Sequence, residues 1–180
     1  MTAVPTVHSW TNNEQPNFRD MKNYVEDPWD FIMNPPMVRL RKTTAQTLTN
    51  TVTASIIWDF IEVENYNFWD STVPTRLTPS VPGWYVGQVG FGFVANATGL
   101  REMNVVKNGS GTERVLRVNH IAYPTPLITV NRGNVFLESF NGTTDYIEVQ
   151  VFQNSGGNLA LLSDVTEHQP DITLRWFAAL

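Results

Sequence analysis

Residues 81–109, VPGWYVGQVGFGFVANATGLREMNVVKNG, decide the fold. A turn at Pro82-Gly83 opens an apolar run over residues 84–95, and a second turn leads into the run 101–107. Asn108-Gly109 closes the stretch with a dipeptide that favours positive φ in hairpin turns. Strand, turn, strand and turn at this spacing are typical of an antiparallel β domain.

The same alternation of strands and turns continues through the rest of the chain. About nine short strands predict an all-β jelly-roll β-sandwich of nine to ten antiparallel strands. Glycines at positions 87, 90 and 92 inside the longest strand indicate that a ring or another backbone approaches closely, and core packing is preferred over a ligand groove or a subunit contact. The predicted strands are 44–49, 52–58, 83–95, 101–107, 112–119, 127–138, 144–152, 158–162 and 171–177.

Composition narrows the class of protein. The 180 residues are 16% charged and include six Trp and ten Phe, which suits a sandwich whose outer faces are partly buried, as in an oligomer. A net charge of −5 argues against nucleic acid as a partner, because phosphate binding needs a basic face. The one basic cluster, Arg39, Arg41 and Lys42, is interpreted as flanking a domain boundary. No apolar stretch is long enough to insert into a membrane, and the first ten residues lack a signal-peptide pattern, so we expect synthesis in the cytoplasm.

Residues 1–42 are predicted to form an anchoring arm, and residues 43–180 the jelly-roll domain. Apolar residues at steps of three and four predict a helix over 17–33, interrupted at Asp27-Pro28, where a second short helix restarts. So short a helix is not stable alone and must dock on its own domain, on sister chains or on a larger assembly. The predicted anchoring residues are Trp10, Phe18, Met21, Val25, Trp29, Phe31 and Ile32.

The order of the β motifs resembles the complement/tumour-necrosis-factor-like jelly-roll family. The motifs are P-G-W-Y at 82–85, N-A-T-G-L-R at 96–101, K-N-G at 107–109 and D-Y-I-E-V-Q-V-F-Q at 145–153. The resemblance spans residues 44–180. It implies a ten-stranded jelly roll that assembles as a tight homotrimer.

The arm carries a second resemblance. Residues 9–36, SWTNNEQPNFRDMKNYVEDPWDFIMNPP, are similar to the opening of many phage tail-fibre, minor tail and virion-surface proteins. Those openings combine a T-W-x-x-G-E segment, a short helix and a D-P-x-x-F-L-x-x-P-P segment. The resemblance implies a virion protein of a tailed bacteriophage. The matching positions are Trp10, Glu14, Met21, Asn23, Asp27, Pro28, Phe31, Pro35 and Pro36.

No catalytic constellation is evident in the sequence. There is no Cys, no G-x-S-x-G nucleophile motif, and the three His lie far apart, so we expect neither an enzyme nor a cofactor. Carboxylates at Asp59, Glu62, Glu64 and Asp70 could bind Ca²⁺ in a loop; the alternative is a solvated loop.

Three aromatic residues in loop-like segments, Tyr66, Trp69 and Tyr123, are candidates for surface recognition. Aromatic faces beside Asn and Asp suit a host cell-surface glycan. The alternative is that these rings pack loops onto the sandwich or line the trimer axis.

The resulting hypothesis is a structural virion protein, assembled in the host cytoplasm, whose trimeric knob is anchored to other virion proteins by its arm. Within this class, a minor tail or tail-fibre protein with a role in host attachment is favoured, and a capsid decoration or head-fibre protein is the alternative. A monomeric carbohydrate-binding module is a more distant alternative.

Overall fold

The computed structural model describes residues 4–6, 8–12, 14–109, 115–121, 128–164 and 168–180. A helical segment comes first, consisting of α1 (Phe18–Met21), a π-helical turn (Lys22–Glu26) and α2 (Asp27–Met33). Twelve strands follow within the described residues: β1 (Met37–Arg41), β2 (Thr47–Leu48), β3 (Ala54–Ser55), β4 (Phe60–Glu64), β5 (Arg76–Leu77), β6 (Gly83–Phe93), β7 (Arg101–Lys107), β8 (Val115–Ile121), β9 (Thr129–Phe140), β10 (Ile147–Gln153), β11 (Leu159–Ala160) and β12 (Asp171–Ala178).

The strands form two large antiparallel sheets and one small one. The first sheet has the order β4-β1-β12-β6-β9, and the second has the order β3-β10-β7-β8 with β5 also paired to β10. Strands β11 and β2 form the small sheet. Two antiparallel sheets in which every neighbouring pair except β7 and β8 is non-consecutive in sequence form a jelly roll, so the predicted fold class is confirmed.

Most strands lie where the sequence predicts them, and β7 has the predicted bounds. Three short strands were not predicted: β1, β4 and β5. Strand β1 belongs to the predicted arm, yet it lies between β12 and β4 in the first sheet. Its apolar residues alternate over only five positions between a Pro-Pro pair and a basic cluster, a pattern too short to separate a strand from a linker.

The core lies between the two large sheets, and β6 shows how it is built. Buried and exposed residues alternate along β6 from Gly83 to Gln88. Phe136, the cross-strand neighbour of Gly87 on β9, lies over that glycine: a Cβ at position 87 would come 2.1 Å from the ring. Core packing therefore explains Gly87, as the sequence analysis preferred.

The helical segment forms where the apolar spacing predicts it. Asn17 caps α1: its side chain accepts from the backbone N–H of Asp20, and the Asp20 carboxylate accepts from the N–H of Asn17. Helix α2 begins at Asp27 with Pro28 in its first turn, but Asp27 is itself helical and no side chain caps the start of α2, so the predicted interruption and restart are not observed. No open break separates the two helices. The helix widens into a π turn, in which Asp27 N–H bonds to the carbonyl of Lys22, and a wider turn makes room for the proline ring.

One aromatic residue docks α2 on the jelly roll. Phe31 is 5% exposed, and its ring meets Trp176 of β12 edge-on at 4.8 Å between centroids and Tyr66 at 6.4 Å. After the helix, the side chain of Asn65 donates to Asn34 Oδ1 (3.0 Å) and to a backbone carbonyl at position 35 (2.9 Å). It also accepts from the N–H at position 37 (2.7 Å). The helix end is thereby fixed to the first sheet.

Candidate interaction surfaces

The outer face of the first sheet divides into two halves of different chemistry. On the side of β1 and β4, the arginines are paired with carboxylates of the same sheet. Arg41 Nε lies 2.7 Å from Glu62 Oε2, and Arg39 lies 3.2 Å from Glu62 and 3.5 Å from Asp171. The charges of this ion-paired half are balanced within one chain, and Phe60 and Val63 of β4 are exposed beside them.

The half formed by β6, β9 and the end of β12 is apolar and exposed. Leu137 is 53% exposed and Phe177 65% exposed, although both belong to regular strands. A monomer rarely exposes so many large apolar side chains on one face, and such a surface marks a contact with another molecule. We call this surface the apolar patch, with the members Ile32, Trp84, Val86, Val135, Leu137 and Phe177.

Helix α2 extends the apolar patch beyond the sheet. Ile32 and Pro35 line a groove of about 610 Å³ together with Val86, Trp176 and Phe177. The guanidinium-bearing residue Arg175 lies in the same groove. The helix end and the sheet therefore form one continuous surface.

The predicted anchoring residues lie in different environments. Phe31 is buried against the jelly roll, Val25 is half-buried, and Ile32 belongs to the apolar patch. Trp10 is partly exposed and meets the ring of His8, which also stacks on Tyr24 at 4.3 Å. The remaining members point to solvent: Phe18 at 85% exposure, Met21 and Trp29.

The predicted recognition aromatics are not brought together. Tyr66 is half-buried and contacts Phe31. Trp69 is also half-buried, packs against the core and donates its indole N–H to the carbonyl of Pro74 at 3.2 Å. Tyr123 lies outside the described residues. For Tyr66 and Trp69, the structure gives the packing role that the sequence left as the alternative.

The four carboxylates considered for calcium each have a separate partner. Glu62 pairs with arginines of β1, and Glu64 accepts two backbone N–H groups from residues 68 and 69. Asp70 accepts from Thr72, whose backbone N–H and hydroxyl lower the pKa of the carboxyl. No metal-like group of three or more such side chains occurs in the described part of the chain, so the calcium site stays a prediction from sequence alone.

Of these four carboxylates, that of Asp59 accepts the largest number of hydrogen bonds. Lys42, only 4% exposed, places its Nζ 2.5 Å from Asp59 Oδ2, and the backbone N–H groups of Thr43 and Thr44 donate to the same carboxylate. Burial opposes ionisation of Asp59, but the bonds from Lys42 and the two threonines outweigh it and lower its pKa. This cluster fixes the chain between β1 and β4. It is a structural site, because its members satisfy one another.

The sequence analysis did not single out the members of the apolar patch on β6, β9 and β12. One signal was present: β6 carries apolar residues at its exposed positions 84 and 86 as well as at its buried ones, a pattern of strands covered on both faces. The register of β12 and β9 beside β6 was needed to place the other side chains on the same face.

Known proteins share this fold without sharing its sequence. No protein-family model matches the chain, and no curated protein matches it. The crystal structure of murine APRIL at pH 5.0 is similar, with a TM-score of 0.59 and 11% identity, over 78% of this chain and 98% of that chain. The structure of Eiger TNF from S. frugiperda is also similar, with a TM-score of 0.55 and 11% identity, over 81% of this chain and 94% of that one.

The chain therefore has a tumour-necrosis-factor-like jelly-roll fold. At 11% identity the likeness concerns the fold alone. Among the described helices, none has the length and apolar character needed to cross a membrane.

Proposed function

We propose that this chain is a non-enzymatic structural protein that assembles into a homotrimer through its apolar patch and is displayed on the surface of a tailed-phage particle. The observation that carries the proposal is the exposed apolar half of the first sheet, beside an ion-paired half on the same face. Burying such a surface in a second copy releases its water and is favourable in proportion to the area covered.

A cyclic trimer is the assembly that the resemblance to complement/tumour-necrosis-factor-like jelly rolls implies. Contacts in a cyclic trimer are heterologous, so the patch of one copy meets a different surface of the next. Two features of the chain suit this arrangement: the patch lies on one half of one sheet and the adjoining end of α2, and the fold is of the tumour-necrosis-factor-like type.

A structural role is supported by what the charged side chains do. In the described residues, the shortest ion pairs join β1 and β4 or the residues next to them, as for Lys42 with Asp59 and Arg41 with Glu62. Catalysis needs titratable groups that converge on a cleft and still have hydrogen-bonding positions free for a substrate. Carboxylates that are already occupied by arginine, lysine and backbone N–H groups fit a scaffold better than a reaction centre.

The arm supplies the proposed anchor to other virion proteins. Phe18, Met21 and Trp29 are exposed apolar side chains of the helical segment, and we propose that together they form the apolar ridge that contacts the partner. Acidic residues outnumber basic ones along this segment, with Asp20, Glu26, Asp27 and Asp30 against Arg19 and Lys22. The partner surface that fits the ridge is an apolar groove with a basic rim.

The solution mass tests the trimer. Light scattering on the purified chain should give three times 20.4 kDa. A double variant, Leu137→Ser with Phe177→Ser, should give 20.4 kDa, because it removes apolar area from the patch. The matched control is Phe18→Ser, which removes a more exposed ring outside the patch and should leave the trimer intact. A wild-type mass of 20.4 kDa at every concentration would refute the trimer.

Particle incorporation tests the anchor. Phages that carry Phe18→Ser with Met21→Ser should lack the protein, while Val52→Ser, an exposed apolar residue far from the arm, should be incorporated normally. Electron-microscopic density on wild-type particles then separates a tail protein from a capsid decoration protein. Equal incorporation of the arm variant and the control would contradict the anchor. Host-glycan recognition stays a prediction from the sequence.

A further inference from the structure

Arg175 is the single basic residue at the apolar patch among the described residues. It is exposed on β12 and lines the groove with Ile32, Val86 and Phe177. In the described structure it makes no ion pair, side-chain hydrogen bond or ring contact. The arginines of the other half of the same face, Arg39 and Arg41, have carboxylate partners on their own sheet.

Strand register shows how isolated this cation is. Across four neighbouring strands, Met37 of β1 lies opposite Arg175, Arg175 lies opposite Val86 of β6, and Val86 lies opposite Leu137 of β9. Cross-strand neighbours on one face are the side chains close enough to interact. The neighbours of Arg175 in this row are therefore apolar, and none can balance its charge.

Covering the patch removes water from Arg175. Burying an unpaired guanidinium is costly, and a charge at an interface is tolerated only when a carboxylate and further hydrogen bonds replace its water. An arginine fork matches the two oxygens of a carboxylate. A second copy of this chain can supply that group, since the chain has 17 acidic residues against 12 basic ones.

We infer that Arg175 donates hydrogen bonds to, and forms an ion pair with, an aspartate or glutamate side chain of a neighbouring copy, seated in the groove between α2 and the first sheet. This inference rests on the proposed self-association. In it, the apolar patch supplies the driving force, and Arg175 determines which surface of the neighbour can fit. A neighbour that offers no carboxylate at the groove leaves the cation buried and unpaired, so the arginine also excludes wrong docking arrangements.

Whether one substitution weakens or strengthens association distinguishes a paired arginine from an unpaired one. In Arg175→Leu, a neighbour's carboxylate loses its partner, so association should weaken by at least roughly 100-fold. If Arg175 were unpaired in the assembly, the same change would remove a buried charge, add apolar surface and strengthen association. Arg175→Glu places two carboxylates together and should yield monomers at all concentrations tested.

The experiment is light scattering and sedimentation of the full chain over a dilution series, at low and high salt. The control is Arg39→Leu, which removes an arginine of the same face outside the patch and should stay assembled. Thermal melts of each variant exclude loss of the fold. We expect wild type and Arg39→Leu to assemble, and Arg175→Leu and Arg175→Glu to dissociate.

Two different results would overturn the inference. If wild type assembles and Arg175→Leu assembles as tightly or more tightly, the carboxylate contact is refuted while self-association stands. If wild type is a monomer throughout the series, the proposed self-association fails, and the contact fails with it.

Discussion

Replacing Phe31 by Ala should release the helical segment from the jelly roll while leaving the two sheets folded. Phe31 is 5% exposed and is the one residue of the helical segment classed as buried. A phenylalanine of this burial removes about 150–200 Å² of apolar surface from water, which at about 25 cal/mol per Å² amounts to about 4–5 kcal/mol. A helix of this length does not persist without docking, so most of that loss should appear as local unfolding.

Amide hydrogen exchange measures this directly. In Phe31→Ala, amides from Phe18 to Met33 should lose protection by orders of magnitude, while β6 and β12 keep theirs apart from the residues beside Trp176. The control is Phe18→Ala, because a side chain that is 85% exposed should change stability by less than about 0.5 kcal/mol. Unchanged protection in α2, or loss of protection across both sheets together, would show that Phe31 does not act as the docking residue.

Three further predictions concern the fold. Asp59→Asn should destabilise the domain by about 3 kcal/mol in urea at pH 7, because it leaves buried Lys42 without its counter-ion. Since the folded-state pKa of Asp59 lies below its unfolded value of 3.8, its contribution is present above pH 4 and is lost as the pH falls further. The difference between wild type and variant should therefore shrink below pH 4, and a constant difference down to pH 2 would contradict the ion-pair account. Gly87→Ala should cost about 2 kcal/mol by thermal melting, with partial recovery on adding Phe136→Leu, because the new Cβ meets the Phe136 ring; an unchanged melting temperature would refute the close contact. Asn65→Ala should lower the free energy of unfolding by about 2 kcal/mol and raise hydrogen exchange at the end of α2, since it removes three hydrogen bonds. Unaffected exchange there would show that Asn65 does not fix the helix end to the first sheet.

The helical segment shows which structural features the local sequence pattern predicts. Apolar spacing predicted the helical segment, because that spacing acts within a turn or two, but the break predicted at Asp27-Pro28 is replaced by a continuous helix with Pro28 in the first turn of α2. The π turn was not predicted. Its origin lies in the same proline, but whether a helix breaks or widens depends on what holds both ends, and Phe31 holds one of them.

The aromatic loop residues show what local pattern leaves open. Tyr66 and Trp69 stand among polar neighbours in the sequence, which suggested exposure. Their rings pack against a core whose members come from segments far away in the chain, and the local sequence does not contain those segments.

The sequence by itself determined the antiparallel strands, the turn at Asn108-Gly109, whose φ values of 60° and 106° are both positive, and the helical stripe. Each of these depends on residues within a few positions of one another. Only the tertiary structure decided that one sheet face has an ion-paired half and an apolar half. Arg39 meets Asp171 across 132 positions of sequence, while Arg175 lies opposite Met37 and Val86 instead of a carboxylate. The physical reason is that packing over the whole sandwich sets the strand register, and the register determines which side chains are neighbours. Those neighbours determine whether the charges on a sheet face are balanced within the chain or require a partner.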